Sequence, residues 1–429
     1  MEIKSRATII SCNMNSEAVC ASAARISTTK GNAIEIFENA RSNPRNQELI
    51  KKVMQSGHNS FIEHAVFTIA FSNVSVLVEQ SIIEFRLASY TVKSRRYVDF
   101  GKMGYYTPED LCVKAKTMYR SHMDFLFGEY DYFVSNGTPK EDARFVLPYS
   151  FLSNFYCTVN ARELLHVLTE VFGGRRARYR ELVDLCNQIC DQLNELFPCI
   201  RHELDAICGK NGTEDVKVSL TEISDEPIIS KSGVDLVNYS DSTKNKYFVD
   251  YFDSGSGKAL GKEIPRLHEF ITASFIIRDL SLAGLTHLVR HRIQSIIIPP
   301  IWCVDANRFL VPASIANSEV LSKRFFDVVA RNVECRVKLR EYGFRNEMYL
   351  ALSGNTMDVI TSMNARELDL FFKLRCCSRA QWEIRGVAID MLHKLRDIDD
   401  ELFSGFGPSC YADGQCPEGQ LGCGNSKSV

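Results

Sequence analysis

The sequence predicts an α+β protein in which one fold, a mixed sheet with long packed helices, occurs twice in tandem. The pentapeptide Asn-Ala-Arg-Glu-Leu stands at Asn160–Leu164 and again at Asn364–Leu368, a shift of 204 positions in a chain of 429 residues. Arg86-Leu87-Ala88-Ser89 and Arg292-Ile293-Gln294-Ser295 recur at nearly the same shift, each closing an apolar helical run. The order of alternating and helical apolar patterns is also the same in both halves. These observations place residues 1–212 in a first repeat and 213–429 in a second, with function expected where both halves contribute.

Each half opens on a polar–apolar alternation, at residues 2–10 and 216–223, that reads as an edge or hairpin strand. In the first half, helices follow at 18–26 and 34–55, the second stopped by Gly57. A strand is expected at 65–71 and an amphipathic helix at 77–90. Further helices are expected at 118–136, 140–146, 161–171 and 178–197, with Asn136-Gly137-Thr138-Pro139 breaking the chain between two of them. The second half repeats the order: a strand at 271–277, then helices at 283–292, 323–341, 365–374 and 381–402. Gly209–Gly212 reads as the linker. Ser254-Gly255-Ser256-Gly257-Lys258 looks like a phosphate loop only superficially. Phe252 stands where a Walker loop needs its first glycine, and Ala259 where it needs Ser or Thr.

A net charge of −2, with Lys and Arg spread along the chain, leaves no electrostatic footprint for nucleic acid or an anionic membrane. Any anionic ligand must be met locally. Without an apolar signal core at the start or a run long enough to span a bilayer, the chain reads as a soluble cytoplasmic protein. The fifteen cysteines are scattered and mostly lie in apolar helical patterns, as buried thiols do. Cys410, Cys416 and Cys423, in a Gly- and Pro-containing tail, are spaced too widely for a strong zinc signal, so no metal site is assigned.

The chemistry gathers at Arg290-His291-Arg292. On the predicted helix 283–292, His287, Arg290 and His291 are spaced i, i+3, i+4 and share one face. Three potential cations there suit a pyrophosphate or a reduced, anionic ring, although a basic helix end also suits the helix dipole by itself.

The flanking residues add a resemblance. Gly57-His58-Asn59-Ser60-Phe61-Ile62-Glu63-His64, followed by a strand and by Ser89–Tyr97 (Ser-Tyr-Thr-Val-Lys-Ser-Arg-Arg-Tyr), resembles the flavin-dependent thymidylate synthase family. Its signature is Arg-His-Arg-x-x-Ser-x-Asn-Glu-x-Ser-x-Arg-Tyr after a Gly-His-x-Ser/Thr-x-x-Glu-His loop. Ala24-Arg25-Ile26-Ser27, Ala143–Pro148 and Val159–Arg162 look like further motifs of the family. So do Asn364-Ala365-Arg366 and Arg379–Ile384 in the second half. The resemblance runs through nearly the whole chain, once per half, and implies two tandem copies of that family's fold.

Neither half carries the whole signature. Glu84-Phe85-Arg86 replaces Arg-His-Arg in the first half, where Ser94, Arg96 and Tyr97 remain. Arg290, His291 and Arg292 remain in the second, where Ile297-Ile298-Pro299-Pro300 replaces Asn-Glu-x-Ser. Arg144 of the first half meets an apolar position near Leu350 in the second, and Arg375 of the second has no equivalent near Val171 in the first. The family builds each site from several subunits of a homotetramer. A fused pair is therefore expected to share one site between its halves and to associate as a homodimer.

The resemblance implies FAD bound by Arg290, His291 and Arg292, with Ser27, His58, Ser60, Asn160 and Asn364. Ser94, Arg96 and Arg144 would hold a nucleotide phosphate, and Arg375 would face the pyrimidine, so that Ser94 and Arg375 carry the catalytic burden. A fixed guanidinium stabilises charge developing on the ring oxygens in a dry site. The leading reading is transfer of a methylene carbon from methylenetetrahydrofolate to C5 of dUMP with reduction through FAD and NADPH. Thr91-Val92 and Ile297-Ile298 in place of Asn-Glu leave a second reading: C5 methylation or hydroxymethylation of another pyrimidine nucleotide. Ser81 and His287 also replace the family's glutamine before Arg-His-Arg. A third reading is a non-catalytic homologue that binds nucleotide or flavin.

Overall fold

The computed structural model of the chain describes residues 4–96, 98–208, 226–254 and 265–424. The expected linker Gly209–Gly212, the expected strand at 216–223 and Gly255–Lys258 lie outside the described residues. Two compact units result, each taking a segment from the opposite half of the sequence. One comprises Met1–Tyr132, Pro148–Leu220 and Cys335–Leu350; the other comprises Phe133–Leu147, Thr221–Glu334 and Ala351–Val429.

The first unit holds β1 (Arg6–Cys12), β2 (Val66–Ser75), β3 (Ala88–Val92) and β4 (Leu152–Asn160) in the antiparallel order β1-β2-β4-β3. Its inward residues, among them Phe67, Ile69, Phe71, Phe155, Cys157 and Val159, are buried. The helices Ser16–Arg25, Ala33–Arg41, Asn46–Gln55, Ala161–Gly173 and Arg180–Leu196 belong to the same unit. One helix was expected over 34–55, but the chain breaks around Pro44, which disfavours helical geometry at the residue before it. The helix expected at 77–90 is Val76–Ile83. The chain then turns into β3, whose Ala88 pairs with Val159, so Arg86–Ser89 enters a strand rather than ending a helix.

The second unit contains a short parallel pair, β5 (Ile228–Ile229) with β9 (Arg308–Phe309). Its main sheet comprises β6 (Gly233–Asp241), β7 (Ile271–Ser281), β8 (Ser295–Ile297) and β10 (Thr356–Asn364), in the antiparallel order β6-β7-β10-β8. This is the order of the first sheet repeated, with β6 in the edge position.

The repetition extends to irregular detail. Asn73 and Asp279 both take left-handed backbone, at φ 53° and 50°. Their N–H groups donate to Asn154 Oδ1 and Asp358 Oδ1, at 2.9 and 3.0 Å. Asn and Asp tolerate that conformation better than most residues. Immediately after, Ser75 and Ser281 cap the next helix, accepting from Val78 N and Gly284 N at 3.2 and 2.9 Å.

The exchanged segments are tied into their units by backbone bonds. In the second unit, Ser353 N donates to Leu147 O and Gly354 N to Phe145 O, both at 2.9 Å. Asp142 accepts from Ser314 Oγ at 2.5 Å and from Trp382 Nε1 at 2.7 Å. In the first unit, Ser150 N donates to Tyr349 O at 3.0 Å, and Asn346 Nδ2 donates to Asp110 Oδ2 at 2.6 Å. Among the described residues no helix is long and apolar enough to cross a membrane. Nor do three His, Cys, Asp or Glu side chains converge there as metal ligands.

The repeated Asn-Ala-Arg motifs have a structural part in both units. Asn160 and Asn364 are helix N-caps whose Oδ1 accepts from Glu163 N and Glu367 N, each at 2.9 Å. The following Arg162 and Arg366 pair with Glu63 and Glu269. Asn160→Ala and Asn364→Ala are each expected to lower the unfolding free energy by about 1 kcal/mol, and Asp at either position to retain most of it, in denaturant titrations. Unchanged stability in both alanine variants would contradict the capping role.

Candidate functional site

In the second unit, Ser281 starts the buried helix Leu282–Leu288, and Val289 ends it. Arg290, His291 and Arg292 therefore follow the helix in a turn instead of completing it, and the expected i, i+3, i+4 face is not formed. His291 N donates to Leu288 O at 3.1 Å, closing the turn. The tighter path buries His287 and His291 and leaves Arg290 and Arg292 exposed.

Arg375, the last residue of the helix Ala365–Arg375, reaches this turn. Its Nε donates to His291 Nε2 at 2.8 Å, and its Nη2 donates to the His287 carbonyl at 3.3 Å. The His291 ring stands edge-on to Phe371, with centroids 4.8 Å apart. Arg144, supplied by the first half of the sequence, is buried in the same unit. Its Nε donates to Glu141 O at 3.1 Å, and its Nη2 lies 3.5 Å from His287 Nε2. A guanidinium has no acceptor, so this contact selects the His287 tautomer with Nε2 unprotonated.

Below the helix start, Glu383 is fully buried. Its carboxylate accepts from Ser281 N at 2.7 Å, from Ser232 Oγ at 2.8 Å and from Ser281 Oγ. Burial raises its pKa, while these hydrogen bonds and the Arg144 charge pull it back. Sequence reasoning did not single out Glu383. Its signal was its place in the family-like stretch Arg379–Ile384. Its equivalent, Glu181, accepts in the first unit from Ser75 N at 2.9 Å and Ser5 Oγ at 2.8 Å.

The positive charge of this corner resides on arginines. Burial, with Arg375 adding to it, pushes the His291 pKa down to about 3, so the ring is a neutral acceptor at physiological pH. Burial and then Arg290 push Arg375 down to about 10, which leaves it protonated. Among the described residues, Arg375 has no carboxylate partner. A guanidinium buried beside a second one, Arg290, and without a carboxylate acceptor of its own favours a bound anion. The donor set therefore fits a flavin pyrophosphate or a nucleotide.

The other expected site residues lie in the first unit. Ser27, in the turn after the helix Ser16–Arg25, is exposed, as are His58 and Ser60, which follow Gly57, whose φ of 82° favours glycine; Ser60 opens the 3₁₀ turn Ser60–His64. Between His58 and Ser60, the buried Oδ1 of Asn59 has no hydrogen-bond partner. Ser94 and Arg96 are half-buried in the turn after β3, where Arg96 N donates to Ser94 Oγ at 3.4 Å. Arg95, which the sequence reading passed over, lies between them and makes a buried ion pair with Glu79. Asn160 lies in the first unit and Asn364 in the second, each as a cap. The structure thus brings Arg144, His291 and Arg375 to one corner with Arg290, while Ser94 and Arg96 belong to the other unit.

Comparison with known proteins agrees with this duplicated architecture. The family described as thymidylate synthase complementing protein matches residues 8–199 and again 236–399. The chain belongs to that family, as a tandem member. A flavin-dependent thymidylate synthase from Geobacter sulfurreducens is 35% identical over 173 residues, 38% of this chain and 72% of the relative. One from Clostridium tetani is 31% identical over 248 residues, 51% of this chain and 96% of the relative. A crystal structure of a UMP/dUMP methylase PolB from Streptomyces cacaoi, bound with 5-Br dUMP, is 24% identical, with a TM-score of 0.40. It covers 48% of this chain and 96% of its own.

His291 is expected to stay neutral well below the ordinary imidazole value of about 6.5. Between that value and about 3 the unfolded chain binds the extra proton, so His291 contributes stability that is lost as pH falls through this window. A ¹⁵N NMR titration should show its ring neutral at pH 5. An imidazolium signal at that pH would contradict the buried Arg375–His291 contact.

Proposed function

We propose that the chain is a flavin-dependent thymidylate synthase that transfers a methylene carbon from methylenetetrahydrofolate to C5 of dUMP, with NADPH as reductant. The observation that carries this reading is the arginine corner in which Arg375 meets the neutral His291 beside Arg290 and Arg144 meets His287, in a chain that belongs to the family. FAD, when bound, supplies the redox chemistry between NADPH and the nucleotide.

The chain's own residues bind and orient. Arg290 and Arg292, exposed on the turn, offer charge-assisted contacts to the cofactor phosphates, with His291, Ser27, His58, Ser60, Asn160 and Asn364 assigned to the same cofactor by family position. Arg375, aimed by His291, is assigned to the pyrimidine, where a fixed guanidinium stabilises negative charge developing on the ring oxygens. Arg144, with Ser94 and Arg96, is assigned to the nucleotide phosphate. The functional assembly proposed is a homodimer, the tandem counterpart of the family tetramer, acting in the cytoplasm.

A second reading rests on a specific feature. Where the family signature has Asn-Glu, Thr91 and Val92 pair with Tyr156 and Phe155 on the edge strand β3. The second-half positions are Ile297 and Ile298. A pocket lacking that amide and carboxylate discriminates its nucleotide differently, which favours C5 methylation or hydroxymethylation of another pyrimidine nucleotide. Turnover with dUMP, UMP and dCMP, together with rescue of a thymidine-requiring cell, separates the two readings.

Purified protein should be yellow. Arg292→Ala is expected to lose most of the flavin and Arg86→Ala to keep it; equal loss from both would overturn the assignment to the second unit. Arg375→Ala should retain flavin but turn over about a hundredfold more slowly, a loss of about 2.7 to 4 kcal/mol of transition-state stabilisation. Wild-type turnover in that variant would remove Arg375 from the chemistry.

A further inference from the structure

Each unit carries the same corner, with different occupants. Val76 N donates to Phe151 O, and Leu282 N donates to Asn355 O, each at 2.9 Å, so the two helix starts are structurally equivalent. Stepping along from them makes Ser81 equivalent to His287, Glu84 to Arg290 and Phe85 to His291, and makes Met348 equivalent to Arg144. The counterpart of Arg144 is thus Met348 rather than Leu350. Counting from the Asn160 and Asn364 caps, Val171 stands at the position of Arg375.

The first unit nevertheless places an arginine at its corner by another route. The helix after the asparagine cap runs two residues further there, to Gly173, and the connection that follows it delivers Arg176. Arg176 Nη2 lies 2.8 Å from Glu84 Oε2, and the side chains are only 10% and 15% exposed. The Arg176 guanidinium carbon sits 4.6 Å from the centroid of the Phe85 ring. Gln80 Nε2 donates to the other Glu84 oxygen at 3.2 Å. Burial raises the Glu84 carboxyl, and Arg176 pulls it back. Ser81 Oγ is turned onto the Leu77 carbonyl at 2.7 Å. Where the second unit leaves Arg375 without a carboxylate, the first supplies one from its own chain. Val171 and Met348 remove the cations that Arg375 and Arg144 provide in the second unit.

We propose that each chain builds one anion-binding corner, in the second unit. In the first unit, the Glu84–Arg176 pair is an internal stand-in for the ligand that holds the equivalent corner closed. The count of one flavin per chain rests on the reading of the second unit's corner given above. The role of Glu84 and Arg176 rests on the first unit's geometry alone.

Two measurements on the intact chain test this. Flavin per chain, from absorbance after FAD saturation, should be one in the wild type and one in Glu84→Gln and Arg176→Met. Two flavins in the wild type, or loss of flavin from either variant, would overturn the proposal. Thermal unfolding of the apoprotein should show each single variant lowered by several degrees, because removing Arg176 leaves the Glu84 carboxylate largely buried without its cation, and removing the Glu84 charge leaves Arg176 with only Glu170 Oε2, at 3.8 Å. The double variant should fall no further than the worse single one. Additive losses would overturn the stand-in role. No bound flavin in any form would count against the function proposed for the second unit, and the unfolding series would still decide the role of the pair.

Discussion

The candidate site depends on one buried carboxylate. Glu383 receives the backbone N–H and hydroxyl of Ser281 and the hydroxyl of Ser232. It thereby joins the end of β7, the approach to β6 and the helix Trp382–Arg396 at the point where the helix Leu282–Leu288 begins. A carboxylate taken out of water is tolerated only when its oxygens are met by donors. Gly284 allows the close approach: a Cβ there would lie 2.8 Å from Glu383 Oε2. Everything downstream, including the turn that buries His291 and exposes Arg290 and Arg292, takes its direction from this junction. Glu181 makes the same junction with Ser75 and Ser5 in the first unit.

Duplication and divergence therefore operate on different layers. Backbone devices recur in both units: the sheet order, the left-handed residue before the helix, the serine cap, the buried carboxylate and the asparagine cap of the later helix. The side chains facing the corner do not. One unit keeps cations around a neutral histidine, and the other closes an arginine onto a glutamate over a phenylalanine ring. The shared devices satisfy buried backbone groups and would be costly to lose in either copy. The corner residues are free to change once a second copy carries the chemistry.

The segment exchange explains how residues of opposite sequence halves reach one corner. Residues 133–147 belong to the second unit and 335–350 to the first. Arg144 comes with the first segment and Met348 with the second. The complementary losses visible along the sequence are thus consistent with a single constellation, because the arginine missing from the second half is supplied to the second unit by the first half.

The sequence by itself determined the duplication, the α+β class, the family motifs and the arginines and histidine of the corner, because residue identity and spacing survive without coordinates. The strand β2 and the helices that follow Asn160 and Asn364 were legible for the same reason: their patterns are local. The capping by those two asparagines came with the structure. Other features came only with the tertiary structure. The ends of the helices Val76–Ile83 and Leu282–Leu288 depend on pairing with β4 and β10, which lie far along the chain. The neutrality of His291 depends on burial and on Arg375, 84 positions away. Arg176 was invisible as the first unit's counterpart of Arg375 because it lies in the connection beyond the helix, past Val171, which holds the matching sequence position. Spacing along a chain records which residues are near in sequence. Charge, protonation and site membership follow from what packing brings near in space.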